Sequence, residues 1–584
     1  MKEKTKMTLV KAQTGSGKTR SALLDSRDDE TIIAVPTVEQ VKELYADAVK
    51  LEIRPTVIVG KRNYPCGRKV RMTRGLSDNE TVNLLTAKNN YGLITGFGKN
   101  ELSDNFECCD EDECPVDIYA REKEKIIEER PQLIITTHAY LRLAGYERAL
   151  PDGYELVLDE ADNFYTALCE PFPPYNSFKL NKLKSLISVK SRAKIEKIKR
   201  KMLPLGKYSM LIAHNHKNDV IRTVEIFDGF INEIAELISS EASVFLGMGK
   251  KKLKHAAMKK REYLNIAARI TRDMLNPREG MYSYITLFKP EGGDNADVSL
   301  EISQDMFSGV YIQNYLQCLK ALAPKSITAL SAFMPLYMEN KLKFFHDVSE
   351  KKIPDKVMEE RFKGSRLNIF IGAKEYCYEE KEDYIDYALS FIKKYGSLSP
   401  KPKVVLATST EQVERLTLKL AGEGYNVISK YTDGADDENG NTVHTLSRFN
   451  AGKDAKDVLI GAAGLWRGLN ITRDSDFYML KLPFESPDMP KNIARRDIKY
   501  FNDKMGRFTD ASFSISFNNA ISMLVQGTGR VIRGQGQVRN LYVLDNRLFT
   551  NKRVGLEWLF SRAYYEVCPI FLPPLKKNKR GDYA

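Results

Sequence analysis

Apolar residues in this chain come in short runs. "MTLVKA" at 7–12, "TIIAVPT" at 31–37, "LIITTH" at 133–138, "YELVLDEAD" at 154–162 and "ITALSAFM" at 327–334 read as buried strands. Helical patterns lie between them. Buried strands alternating with helices predict a parallel sheet covered on both faces. A second strand–helix series starts near residue 366 with "RLNIFIG" and runs through "KVVLATS", "DVLIGAA", "DFYMLKL" and "NLYVLD". The predicted fold class is α/β, with two parallel-sheet domains.

Two stretches interrupt the first series. Residues 61–124 are rich in Gly, Asn and Asp, and residues 171–281 combine helical periodicity with many bases, as in "KLNKLKSLISVKSRAKIEKIKRK" and "GKKKLKHAAMKKR". Both read as insertions. The expected organisation is a first α/β domain from 1–60, 125–170 and 282–345, with 61–124 and 171–281 inserted, then a second from 346–584. The tail "PLKKNKRGDYA" reads as a frayed basic end.

Composition narrows the class. With 42% hydrophobic and 29% charged residues over 584 positions, the chain is globular and too long for one core. No apolar run reaches the roughly 18 residues that span a bilayer. The opening "MKEKTKMTLV" lacks the apolar core and cleavage site of a signal peptide. These features predict an intracellular protein, cytoplasmic or nucleoid-associated, with no membrane partner. The 90 Lys and Arg outnumber the 77 Asp and Glu, a net charge of +13. That excess fits a polyanionic partner, or simply a basic protein. Four of the eight cysteines, Cys66, Cys108, Cys109 and Cys114, fall in one region. In a reducing compartment such clustering points to metal over disulfides.

Candidate chemistry begins with "KAQTGSGKTR" at 11–20. A strand precedes Thr14, Gly15, Ser16, Gly17, Lys18 and Thr19, and a helix-forming "RSALL" follows. Glycines let backbone N–H groups wrap phosphates at a helix N-terminus. Lys18 would reach the β- and γ-phosphates of ATP, and the Thr19 hydroxyl would bind Mg²⁺. "VLDEAD" at 157–162 supplies the other half: Asp159 for Mg²⁺, and Glu160 to orient and deprotonate water. "QGTGRVIRG" at 526–534 offers Gln526, Arg530 and Arg533, the two arginines on one helical face. If they complete the site, two α/β domains close around one ATP, and hydrolysis becomes domain motion.

The ordered set of motifs resembles the XPD/DinG group of superfamily 2 DNA helicases. "AQTGSGKT" is similar to motif I, "VPTVEQ" to motif Ia, "LDEAD" to motif II and "ALSAFM" to motif III. "VVLATSTEQVERL" is similar to motif IV, "GLWRGLNITRDSDFYMLKLPFESPDMP" to motif V and "QGTGRVIRGQGQVRNLYVLDNRL" to motif VI. The resemblance spans residues 12–548. It implies two RecA-like domains, the first carrying an iron–sulfur insertion and a helical arch, and 5′→3′ translocation on single-stranded DNA with unwinding of forks, as a monomer.

The resemblance also implies site residues. Cys66, Cys108, Cys109 and Cys114 would hold a [4Fe–4S] cluster; zinc and free thiols are the alternatives, since adjacent Cys108 and Cys109 side chains diverge. Pro36, Thr37, Thr408, Ser409 and Trp466 would contact the strand, Trp466 by stacking on a base or else by packing between domains. Three departures stand out. The first strand starts too early for an upstream adenine-reading glutamine motif. Asp162 replaces the usual His of motif II, and Arg467 and Asn470 stand where motif V usually carries acids. A strand-stimulated ATPase without unwinding, or an accessory binding module with a vestigial ATPase, are the competing functions.

Overall fold

The computed structural model describes residues 4–12, 16–60, 63–64, 75, 77, 80, 118–144, 150–167, 177–179, 183, 186–202, 210–213, 232–241, 255–275, 281–288, 299–306, 318–334, 336–374, 381–429, 442–466, 471–484, 511–529, 531–550, 563–577 and 583. Cys66, Cys108, Cys109, Cys114, Thr14, Gly15, Arg467, Asn470 and Arg530 lie outside the described residues.

The chain divides into two compact units. Met1–Phe164, Cys318–Phe484 and Asn518–Ala584 form the first, and Tyr165–Gln317 with Glu485–Phe517 the second. The first unit holds two seven-stranded sheets, parallel throughout, which is the two-sheet α/β fold that the apolar runs predict.

The strands of the first sheet are β1 (Lys6–Lys11), β2 (Thr31–Val35), β3 (Pro55–Ile58), β4 (Leu133–Thr137) and β5 (Glu155–Asp159). Four strands of the second unit follow, β6 (Ser177–Lys179), β7 (Met210–Ala213), β8 (Met281–Phe288) and β9 (Ser299–Met306). Then β10 (Ser326–Ser331) and β11 (Asp347–Lys351) complete the first sheet, in the order β11-β1-β10-β5-β2-β4-β3. Every residue of β2 and β4 is buried. Apolar side chains on both faces of these strands are why the runs are continuous rather than alternating.

The second sheet contains β12 (Arg366–Lys374), β13 (Lys403–Leu406), β14 (Asn426–Ile428), β15 (Asp457–Gly461), β16 (Asp476–Met479), β17 (Val538–Asp545) and β18 (Glu566–Phe571). Their order is β14-β15-β13-β16-β17-β12-β18. Pro569 sits in edge strand β18, where a missing donor breaks no inner ladder.

The second unit differs from expectation. β6, β9, β8 and β7 pair antiparallel in one sheet, so Met281–Phe288 and Ser299–Met306 belong with the second unit and not with the first parallel sheet. The described part of the insertion is therefore mixed α/β, its helices at Val189–Met202 and His255–Leu275 accompanied by this sheet. Periodicity identifies the basic helices; β6 and β7 are short and β9 is polar, and none of these gives an equally strong signal.

Trp466 is a core side chain. Its indole is fully buried, and Nε1 donates to the Ala407 carbonyl at the end of β13, 2.6 Å away. It offers no face for a base, so the stacking role considered for it does not fit this structure. The ring lies against Gly527, where an added Cβ would come within 2.6 Å of Trp466 Cε3. Gly527 is in the helix Ala511–Thr528, where alanine would normally stabilise by about 1 kcal/mol. Here overpacking outweighs propensity. Gly527→Ala is expected to lower the thermal midpoint of the protein; a raised midpoint would show that the indole is not packed this way.

Candidate nucleotide site

Parallel strands bring their C-terminal ends to one edge of a sheet, and that edge is where ligands bind in α/β folds. Along the first sheet Lys11 is level with Ser331, and Leu330 with Asp159. The register therefore sets the end of β1, Ser331 and Asp159 side by side, although the sequence separates them widely.

The phosphate loop follows β1. Gly17 adopts φ 86° and caps helix α1 (Lys18–Asp25) with no side-chain hydrogen bond. Glycine takes this left-handed conformation without a Cβ penalty and leaves the helix N-terminus open to an anion. Ser16 is buried beside it. The Lys18 ammonium donates to the Ala12 carbonyl at 2.6 Å. Burial pulls its pKa down, while the nearby Asp159, Glu160 and Asp162 carboxylates push it up. The Thr19 hydroxyl donates to Asp159 Oδ2 at 2.8 Å. Burial raises the Asp159 pKa, opposed by Lys18 and by the Thr19 hydrogen bond. A hydroxyl and a carboxylate oxygen this close form a hard-oxygen pair that fits Mg²⁺.

Glu160 is held more deliberately. Its φ is 48°, a left-handed conformation that strains a non-glycine residue by about 1–3 kcal/mol. Its N–H donates to Asp159 Oδ1 at 3.1 Å. The carboxylate accepts from Asn163 Nδ2 at 2.6 Å and from Gln40 Nε2 at 3.2 Å. One residue on, helix α2 (Ala161–Ala167) carries Asp162 into the interior.

Asp162 joins the two sheets. Oδ1 accepts from Ser331 Oγ at 2.8 Å. Oδ2 accepts from Ser522 Oγ and, at 3.4 Å, from Gln526 Nε2, both on the helix Ala511–Thr528 of the second half. Asp in place of His supplies an acceptor, and Ser331, Ser522 and Gln526 each offer it a donor. Beyond that helix, Glu43 and Glu160 lie within electrostatic reach of the Arg533 guanidinium, and burial lowers the Arg533 pKa. The structure therefore brings Gln526 and Arg533 to the motif II loop, over 350 residues away in sequence.

Sequence reading missed several residues here. Arg361 closes the helix Asp355–Arg361 ahead of β12, and a Cβ on Gly17 would sit 3.0 Å from its Nη1. No motif marks an arginine in that linker. Gln40 and Ser522 are likewise ordinary polar residues until the fold places them. Among the expected strand contacts, Thr37 is exposed and Pro36 half-buried at the end of β2. Thr408 and Ser409 occupy the equivalent turn after β13, Ser409 capping the helix Thr410–Gly422.

Residues 392–561 match the helicase C-terminal domain family. A stretch of 170 residues is 25% identical to the 3′-5′ exonuclease DinG of Bacillus subtilis, and it covers 28% of this chain and 17% of that protein's length. The solved structure of an XPD helicase superposes with TM-score 0.59 at 17% identity, over 97% of this chain and 96% of its own. Xpd4 of S. tokodaii superposes with TM-score 0.52 at 14% identity, over 97% and 96%. These likenesses establish the fold.

His138 supports the site from below. Its ring is buried, edge-on to Phe164 at 5.3 Å, next to the backbone at Ala34 and Asp159 where β2 and β5 end. Burial depresses its pKa from 6.5 to about 3. Between those values the unfolded imidazole binds a proton and the folded one does not. The stability this neutral ring contributes is complete above pH 6.5 and falls on acidification by about 1.4 kcal/mol per pH unit. His138→Asn is expected to flatten the decline of the thermal midpoint between about pH 6.5 and pH 4; an unchanged slope would refute it.

Proposed function

We propose that this chain, an XPD/DinG-type superfamily 2 helicase by its fold and its C-terminal domain, is a Mg²⁺-dependent ATPase that moves 5′→3′ along single-stranded DNA and separates duplex strands. The observation that carries this reading is one cluster built from both sheets. Lys18, Thr19, Asp159 and Glu160 come from the first, and Gln526 and Arg533 from the second.

The chemistry follows from these placements. The N-terminus of α1 and the Lys18 ammonium bind the triphosphate, and Arg361 stands beside Gly17 to add positive charge. Mg²⁺ held at Thr19 and Asp159 would neutralise phosphate charge. Glu160, aimed by its left-handed backbone, accepts the proton of the attacking water. Arg533 stabilises charge developing on the γ-phosphate. Because Asp162 bonds to Ser331 and to Ser522 and Gln526, changes at the nucleotide reach both sheets. Thr37 and Thr408, at matching turns of the two halves, contact successive phosphates of the strand. In the same reading Cys66, Cys108, Cys109 and Cys114 supply four thiolates to a [4Fe–4S] cluster.

Lys18→Ala is expected to abolish ATP hydrolysis and unwinding while single-strand binding persists. Glu160→Gln should lower turnover by at least about 100-fold without weakening ATP binding. Assays on forked DNA and RNA of defined polarity check both variants. Wild-type ATPase without unwinding would leave a translocase, and no ATPase at all would leave a binding module. Anaerobically purified protein should absorb near about 400 nm and contain iron; zinc alone, or no metal, would overturn the cluster.

A further inference from the structure

The turn after β2 contains a wired contact that the nucleotide chemistry does not use. Thr37 caps the helix Val38–Lys50 through a reciprocal capping box with Gln40. The Gln40 N–H donates to Thr37 Oγ1 at 3.3 Å, and Gln40 Oε1 accepts from the Thr37 N–H at 3.2 Å and from its hydroxyl at 3.1 Å. A capping box is ordinarily complete at that point. Here the other end of the amide continues, and Nε2 donates to Glu160 Oε1 at 3.2 Å. The neighbours fix the orientation of the amide: the Thr37 N–H needs an acceptor and the carboxylate needs a donor.

The second half of the chain holds an internal comparison. "PTVEQVKEL" at 36–44 and "TSTEQVERL" at 408–416 share the same cap-to-glutamine spacing. The Gln412 N–H donates to its cap, Ser409, at 3.3 Å, but Gln412 Oε1 accepts from the N–H and hydroxyl of Thr408, the residue before that cap, both at 3.1 Å. Among the described residues, Gln412 bonds to Thr408 and Ser409 of its own turn, whereas Gln40 reaches a carboxylate at the candidate nucleotide site.

We infer that Gln40 is a positioning residue that links strand occupancy at Thr37 to the aim of the Glu160 carboxylate. The inference rests on the ATPase reading above. Thr37 is exposed, and its hydroxyl has one hydrogen. A phosphate oxygen that takes this hydrogen removes one of the two bonds holding Gln40 Oε1. The amide then shifts, and its grip on Glu160 Oε1 changes. Asn163 keeps hold of Oε2 throughout, so the carboxylate pivots on a fixed bond. An oxygen released from Gln40 has a lone pair to offer the attacking water. The Lys18 and Arg533 side chains lie within electrostatic reach of this carboxylate, and neither belongs to the Thr37 turn.

Gln40→Glu separates the link from the cap. Glutamate completes a capping box as well as glutamine does, but an ionised carboxylate cannot donate to Glu160. The assay measures ATPase of the full chain with and without oligo(dT), together with the thermal midpoint and KM for ATP. Gln40→Glu is expected to keep the midpoint and to hold KM within about threefold. With Glu160 Oε1 no longer held, it should raise kcat without oligo(dT) toward the strand-stimulated wild-type rate, so that the ratio with and without oligo(dT) approaches one. Gln40→Asn, a shorter amide, should lose the same stimulation. Wild-type stimulation in Gln40→Glu would overturn the link and leave the ATPase reading intact. A wild-type protein that hydrolyses ATP without any response to oligo(dT) would overturn the link as well. A wild-type protein with no ATPase would overturn both.

Discussion

A buried carboxylate, Asp162, is the constraint on which the arrangement of the two sheets depends. Taking a charge out of water is costly unless donors replace its hydration. Ser331, Ser522 and Gln526 are those donors, one from the first sheet and two from a helix of the second half. Asp162 follows Glu160 by two positions, so a movement of Glu160 also loads the bond between the sheets. Polar bonding across an interface permits this: an apolar contact would hold the halves together without sensing the charge state of the site.

The edge of the first sheet that carries the candidate site is built by register more than by local preference. Continuous apolar runs stack β1, β10, β5 and β2 in parallel, and their ends carry Lys11, Ser331, Asp159 and Val35 to one rim. Two left-handed residues, Gly17 and Glu160, then turn the chain sharply into helices. Glycine does so freely. Glutamate is strained there, and its carboxylate is consequently aimed with little freedom to wander. Backbone strain stored at a reactive side chain is affordable only because Asp159, Asn163 and Gln40 hold it in place.

The two halves share a design at the turns after β2 and β13. In each, a hydroxyl residue starts a helix and a glutamine three or four residues later folds back on the turn. Both turns sit at the C-terminal ends of inner strands, where a threonine can meet a phosphate. The Gln40 amide differs in donating onward to Glu160, at the end of the first sheet that carries the candidate site.

Much of this was legible in the amino-acid order itself. Strand runs, the glycine-rich loop and "LDEAD" each depend on local patterns: burial of both strand faces, the need for left-handed glycines, and paired carboxylates after an apolar strand. That "TVEQ" and "STEQ" begin helices is equally local. Other facts belong to the tertiary structure alone. Nothing near Trp466 in the sequence shows that Gly527 would pack its ring into the core and remove it from any strand path. Met281–Phe288 and Ser299–Met306 are paired into an antiparallel sheet with strands of other segments alongside them. Arg361, Gln40 and Ser522 acquire meaning only from what folding sets within hydrogen-bond reach. Local sequence decides what each segment can be, because propensity and burial act over a few residues. Which distant donor meets which buried acceptor is decided by packing, because hydrogen bonds need separations near 3 Å that only the assembled fold provides.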